Sequence, residues 1–105
     1  MAFGIGTNTQ KADDGLVKGK QKEIACQCWF TRTGKVMPTM LKIQDEDGEI
    51  RTVHQIQVRS KEEKWYAGVS SIEFDCTITI LEQKINVWLI FYREENRWAL
   101  VYRQD

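Results

Sequence analysis

The sequence predicts a mainly β protein: a six-stranded antiparallel meander closing into a small barrel or roll, with one short helix between strands three and four. From Lys22 onward, apolar and polar residues alternate with the period of two that marks a strand buried on one face. The runs are separated by short polar turns, which join antiparallel neighbours, whereas parallel strands need long crossovers. The 105-residue chain is large enough to close one hydrophobic core and too short for two.

Residues 1–20 carry Gly4, Gly6, Gly15 and Gly19 among polar residues and no apolar periodicity, so they are expected to form a flexible tail before a single β-domain at 21–105. In the first strand, Ile24, Cys26, Cys28 and Phe30 share one face. Thr31 to Lys35 then supplies a turn, where Gly34 can adopt the positive φ that hairpin loops often require. The second strand, about Val36 to Asp45, puts Met37, Thr39, Leu41 and Ile43 on one side, and Pro38 suggests an edge or a bulge. Asp47-Gly48 fits a tight type I′ hairpin. That turn would fix the third strand with Ile50, Thr52, His54, Ile56 and Val58 toward the core.

Ser60-Lys61-Glu62-Glu63 matches a capping box, in which a serine and a glutamate satisfy each other's free backbone N–H groups. A short helix from Ser60 would end at Gly68 as its C-terminal cap. The fourth strand carries Ile72, Phe74, Cys76, Ile78 and Ile80 on one face. The fifth, Ile85 to Tyr92, is apolar at nearly every position, as expected of a central strand covered on both faces. After Glu94-Glu95-Asn96, the sixth alternates Trp98, Leu100 and Tyr102 with Arg97, Ala99, Val101 and Arg103.

Fifteen basic side chains balance fifteen acidic ones, so no net field steers the protein onto a polyanion or an anionic membrane. No apolar run reaches the roughly 18–20 residues that span a bilayer, and Met1 to Gln10 lacks the pattern of a signal peptide. The expectation is a soluble cytoplasmic protein with no membrane contact. In a reducing compartment, three cysteines are expected to remain free thiols.

No cofactor or metal is expected. Cys26, Cys28, Cys76 and His54 are a chemically legitimate zinc set, but strand side chains two residues apart stand roughly 6.5–7 Å from each other. Two sulfurs on one zinc cannot exceed roughly 4.6 Å. The thiols are better read as small buried hydrophobes. His54, the single histidine, has no nucleophile motif around it. Asp45-Glu46-Asp47 and Glu94-Glu95 sit in predicted turns, where acids are solvated, and neither has an EF-hand loop.

Three functions compete, and the first is a non-catalytic protein-interaction module of small β-barrel type, binding a protein partner or itself. Trp29 and Trp88 would then be aromatic anchors on the face away from the main core. A single-stranded nucleic-acid module comes second, because Arg59, Lys61, Lys64, Trp65 and Tyr66 interleave cations with rings that could stack bases. The competing structural role for Trp65 and Tyr66 is to lid one end of the barrel. A small enzyme or ligand carrier using His54 is third.

Overall fold

A computed structural model describes residues 21–103, which form one seven-stranded antiparallel sheet. Its strands are β1 (Lys22–Phe30), β2 (Val36–Gln44), β3 (Ile50–Val53), β4 (Ile56–Tyr66), β5 (Val69–Ile80), β6 (Gln83–Tyr92) and β7 (Arg97–Tyr102). The expected tail, 1–20, lies outside the described residues.

The strand order is β3-β2-β1-β7-β6-β5-β4. Every neighbouring pair is consecutive in the chain except β1 with β7, where Lys22, Glu23 and Ile24 pair with Leu100, Ala99 and Trp98. This is the order of an up-and-down barrel in which the closing pair, β3 with β4, is not made. The sheet curls into a half-barrel, open along that seam.

The count of six strands and the short helix are both corrected. What reads as one strand from Ile50 to Arg59 breaks at His54-Gln55. The chain leaves one edge of the sheet as β3 and joins the opposite edge as β4, a bend that lets one stretch serve two edges. Ser60 to Tyr66 continues β4 as a strand, paired residue by residue with β5 from Ser60↔Asp75 to Tyr66↔Val69. Pairing with a twelve-residue partner overrides the local capping signal. Ala67-Gly68 closes a two-residue hairpin instead of capping a helix, with φ of 51° and 82°, the positive pair of a type I′ turn.

Register decides which faces are buried. A type I′ loop at Asp47-Gly48 would pair Leu41 with His54; the observed partner is Val53. Asp45 N–H donates to Glu49 O at 2.8 Å and Gly48 N–H to Asp45 O at 3.0 Å, leaving a three-residue loop that ends in a positive-φ glycine. That one-residue difference turns every side chain of the strand over. Val53 is therefore buried, Ile50 is exposed, and His54 lies on the surface. In β2, Thr39 is bulged: Gln27 pairs with Met40 and Cys28 with Pro38, and Thr39 Oγ1 donates to Gln27 O at 2.9 Å. The bulge that Pro38 suggested puts Val36 and Pro38 in the core with Leu41 and Ile43, in place of Met37 and Thr39.

The core fills the concave face, where Leu41, Val53, Phe74, Cys76, Ile78, Val87, Leu89 and Leu100 are all nearly inaccessible. Trp98 joins the two sides through its rings, 5.6 Å from Phe74 and 4.9 Å from Phe91 between centroids. On the convex face, Ile90, Ala99 and Val101 are also buried. The central strands β6 and β7 are thus covered on both sides, as the apolar run of β6 predicts.

Candidate functional site

The largest apolar side chains left in water belong mostly to hairpin tips. Trp29 and Phe30 end β1 and Met37 opens β2, with exposures of 66%, 58% and 53%. Trp29 pairs with Met37, so the two share the convex side of the hairpin. Phe30 faces inward but reaches past the core edge, meeting Phe91 edge-on at 6.3 Å. Trp65 and Val69, also exposed, flank the β4–β5 turn. The ladder register puts both tips at the same end of the sheet.

Beside the first tip, the unclosed seam opens into a groove of about 450 Å³ lined by Val36, Met37, Pro38, Ile56, Val58 and Phe74, with Lys35 and Lys61 among its walls. It exists because the curl brings β2 toward β4 without pairing them. Phe74 is buried at its floor, while Val58 is open to solvent.

The remaining sequence-selected residues gather elsewhere. Arg59 is the bulged residue of β4, skipped between Val58↔Cys76 and Ser60↔Asp75, and its side chain lies over the convex face, as the alternation after Val58 places it. There Arg59 donates to Asp75 Oδ1 at 2.7 Å and to Asn86 Oδ1 at 3.1 Å, and Arg103 donates to the same Asp75 oxygen at 2.6 Å. The Arg103 guanidinium lies 4.9 Å over the ring of half-buried Trp88. Partial burial opposes the charge on Asp75, but the two arginines outweigh it and hold the carboxyl below its ordinary range. Arg59 and Trp88 are thereby tied into one polar network across β4–β7, some strands away from Trp29.

Lys64 is half-buried beside Glu62, 3.8 Å away, and Tyr66 is the last residue of β4. Since Ser60 to Tyr66 is a strand, Trp65 cannot fold back from a helix as a lid; it is exposed. Two of the stretch's three cations are matched, Arg59 by Asp75 and Lys64 by Glu62.

Cys26, Cys28 and Cys76 line the concave side as free thiols. Burial, with the neighbouring thiols adding to it for Cys26, pushes Cys26 and Cys76 up to about 12. His54 is exposed at the β3–β4 bend, in a shallow cleft of about 300 Å³ with Gln55, Gln57, Thr77, Thr79 and Lys84. Among the described residues no carboxylate or thiol lines that cleft. Asp45 builds its own turn: Oδ1 accepts from Asp47 and Glu49 N–H at 2.9 Å each, and Oδ2 from Arg51 Nε at 2.9 Å. Among the described residues no group of three His, Cys, Asp or Glu side chains is arranged to hold a metal.

The hairpin tip and groove were only partly legible in the sequence. The alternation places Trp29 outward but puts Phe30, Met37 and Val58 on inward faces, and the exposure of these three follows from the tertiary structure. No family model, no curated protein and no solved structure matches this chain.

Proposed function

We propose that this domain is a non-catalytic interaction module that binds a protein partner through the β1–β2 tip and the adjoining groove. The observation that carries this is the exposure of Trp29, Phe30 and Met37 beside an open apolar groove, in a protein that has a well-filled core elsewhere. Covering the exposed parts of Trp29 and Phe30 would return on the order of 5 kcal/mol at about 25 cal/mol per Å². Aromatic anchors next to a concave pocket are the usual centre of a binding hot spot. The polar cleft at His54 offers no comparable feature for an enzyme or carrier, and the paired cations of β4 give little support to nucleic-acid binding.

Site-specific photocrosslinking tests this. A photoreactive residue at Trp29 or Met37 is expected to capture one defined protein, and the same residue at Lys84, at the far end of the sheet, is not. Equal capture from both ends, or none from the tip, would remove the proposal. Sedimentation distinguishes a foreign partner from a second copy.

A further inference from the structure

The seam has two edges, and among the described residues both lack a neighbour where they face the groove. β4 is the last strand of the sheet, eleven residues long, with β5 on one side only. Val36 to Pro38 and Met40 of β2 pair with β1, while β3 covers only Leu41 to Gln44 on the other side. Such an edge presents a row of backbone donors and acceptors ready for another strand. Edge strands are commonly protected by charge, and β4 is so protected over Lys61 to Lys64. The protection stops at Ile56 and Val58, whose side chains instead line the groove.

The charge around the groove is one-sided. Among the described residues, Lys35 and Lys61 stand in its walls, no carboxylate lines it, and neither lysine forms an ion pair. The nearby glutamates of β4 are engaged, Glu62 by Lys64 and Glu63 by Arg93. Resting on the interaction role proposed above, we infer that the partner is an extended acidic peptide that adds as a strand along the free edge of β4, its apolar side chains in the groove and its carboxylates on Lys35 and Lys61. Backbone hydrogen bonds would supply affinity, and the alternating side chains specificity. The lysines would reject a basic strand.

The experiment titrates isotope-labelled full-length protein with a short peptide alternating glutamate and valine, and with its lysine–valine counterpart. The acidic peptide is expected to shift the backbone amides of 56–61 and 36–38 and to bind at least about tenfold more tightly than the basic one. The double variant Lys35→Glu/Lys61→Glu, altered only at exposed side chains, is expected to reverse that preference while its other amides stay in place. Equal affinity for the two peptides would overturn the inference, as would an unchanged preference in the double variant. Shifts of the same amides on concentrating the protein alone would assign the edge to a second copy and overturn it too. If neither peptide binds while crosslinking from Trp29 still captures a partner, the interaction role stands and strand addition falls.

Discussion

Arg59 on β4 and Asp75 on β5 meet at 2.7 Å on the convex face, at the bulge where Ser60 takes the pairing position opposite Asp75. Asp75 then gathers Arg59 and Arg103 on one oxygen, linking an edge strand to the chain's last strand through a single carboxylate. Replacing Asp75 by Asn keeps an acceptor oxygen but removes the negative charge that the two guanidinium groups share. The expected loss is about 1–2 kcal/mol, since the network is partly exposed. Urea denaturation of wild type and Asp75→Asn measures it, and a loss below about 0.3 kcal/mol would show that solvent replaces the network.

The same carboxylate gives a pH dependence with a definite sign. Its pKa in the folded protein is depressed, so its contribution is complete above the unfolded aspartate value of about 3.9 and is lost as pH falls further. Asp45, held down first by the Glu49 N–H and then by Arg51, acts in the same direction. Stability of the wild type should decline below about pH 4, and Asp75→Asn should decline less steeply. Parallel acid profiles for the two proteins would contradict this.

The thiols act on the alkaline side. Cys26 and Cys76, raised to about 12, lie above the unfolded value of about 8.5, so their contribution is present below that value and is lost as pH rises toward 12. At pH 8, labelling of buried Cys76 by a thiolate-directed reagent should proceed only as fast as the protein opens, and that of half-buried Cys26 should be slow. Cys28 is shifted in the same sense, by burial against an opposing hydrogen bond from Trp98, but is less enclosed and should label first. Immediate reaction of Cys76 in the native protein would refute the assigned burial.

Core and tip should respond differently to truncation. Phe74 is 1% exposed and stacks on Trp98, so Phe74→Ala should cost about 3–5 kcal/mol. Trp29 is 66% exposed, and Trp29→Ala should change stability by less than about 0.5 kcal/mol. Comparing their denaturation midpoints checks both figures. A large cost at Trp29 would make it a structural residue and deprive the proposed surface of its anchor.

Two hairpins are closed by residues poorly suited to them. Leu81 and Glu82 have φ of 51° and 65°, and Ala67 has 51°, in the left-handed region that favours Asn and Gly. The double variant Leu81→Asn/Glu82→Gly should gain about 1–2 kcal/mol, observable as a higher thermal midpoint. A lower midpoint would mean that exposed Leu81 makes a contact worth more than the backbone strain.

Local pattern was enough for much of this protein. The alternation of Ile72, Phe74, Cys76 and Ile78 fixes a strand and its buried face, and the unbroken apolar run Val87 to Phe91 marks a central strand, because both depend on neighbours within a few residues. Trp29 and Arg59 were selectable by residue type alone. What the alternation could not supply was register. A three-residue loop in place of a two-residue one inverted β3, the bulge at Thr39 exchanged Met37 for Val36, and the bulge at Arg59 brought Lys61 opposite Phe74 on the concave side. A slip of one residue is nearly invisible in a sequence of period two, yet it moves every side chain to the other face. The helix failed for a related reason: Ser60 to Glu63 satisfies a local cap, and only the presence of β5 alongside makes a strand the lower free energy. The groove is wholly tertiary. It exists because the sheet curls until β2 and β4 approach and stops before they pair, an outcome of the twist accumulated along the sheet.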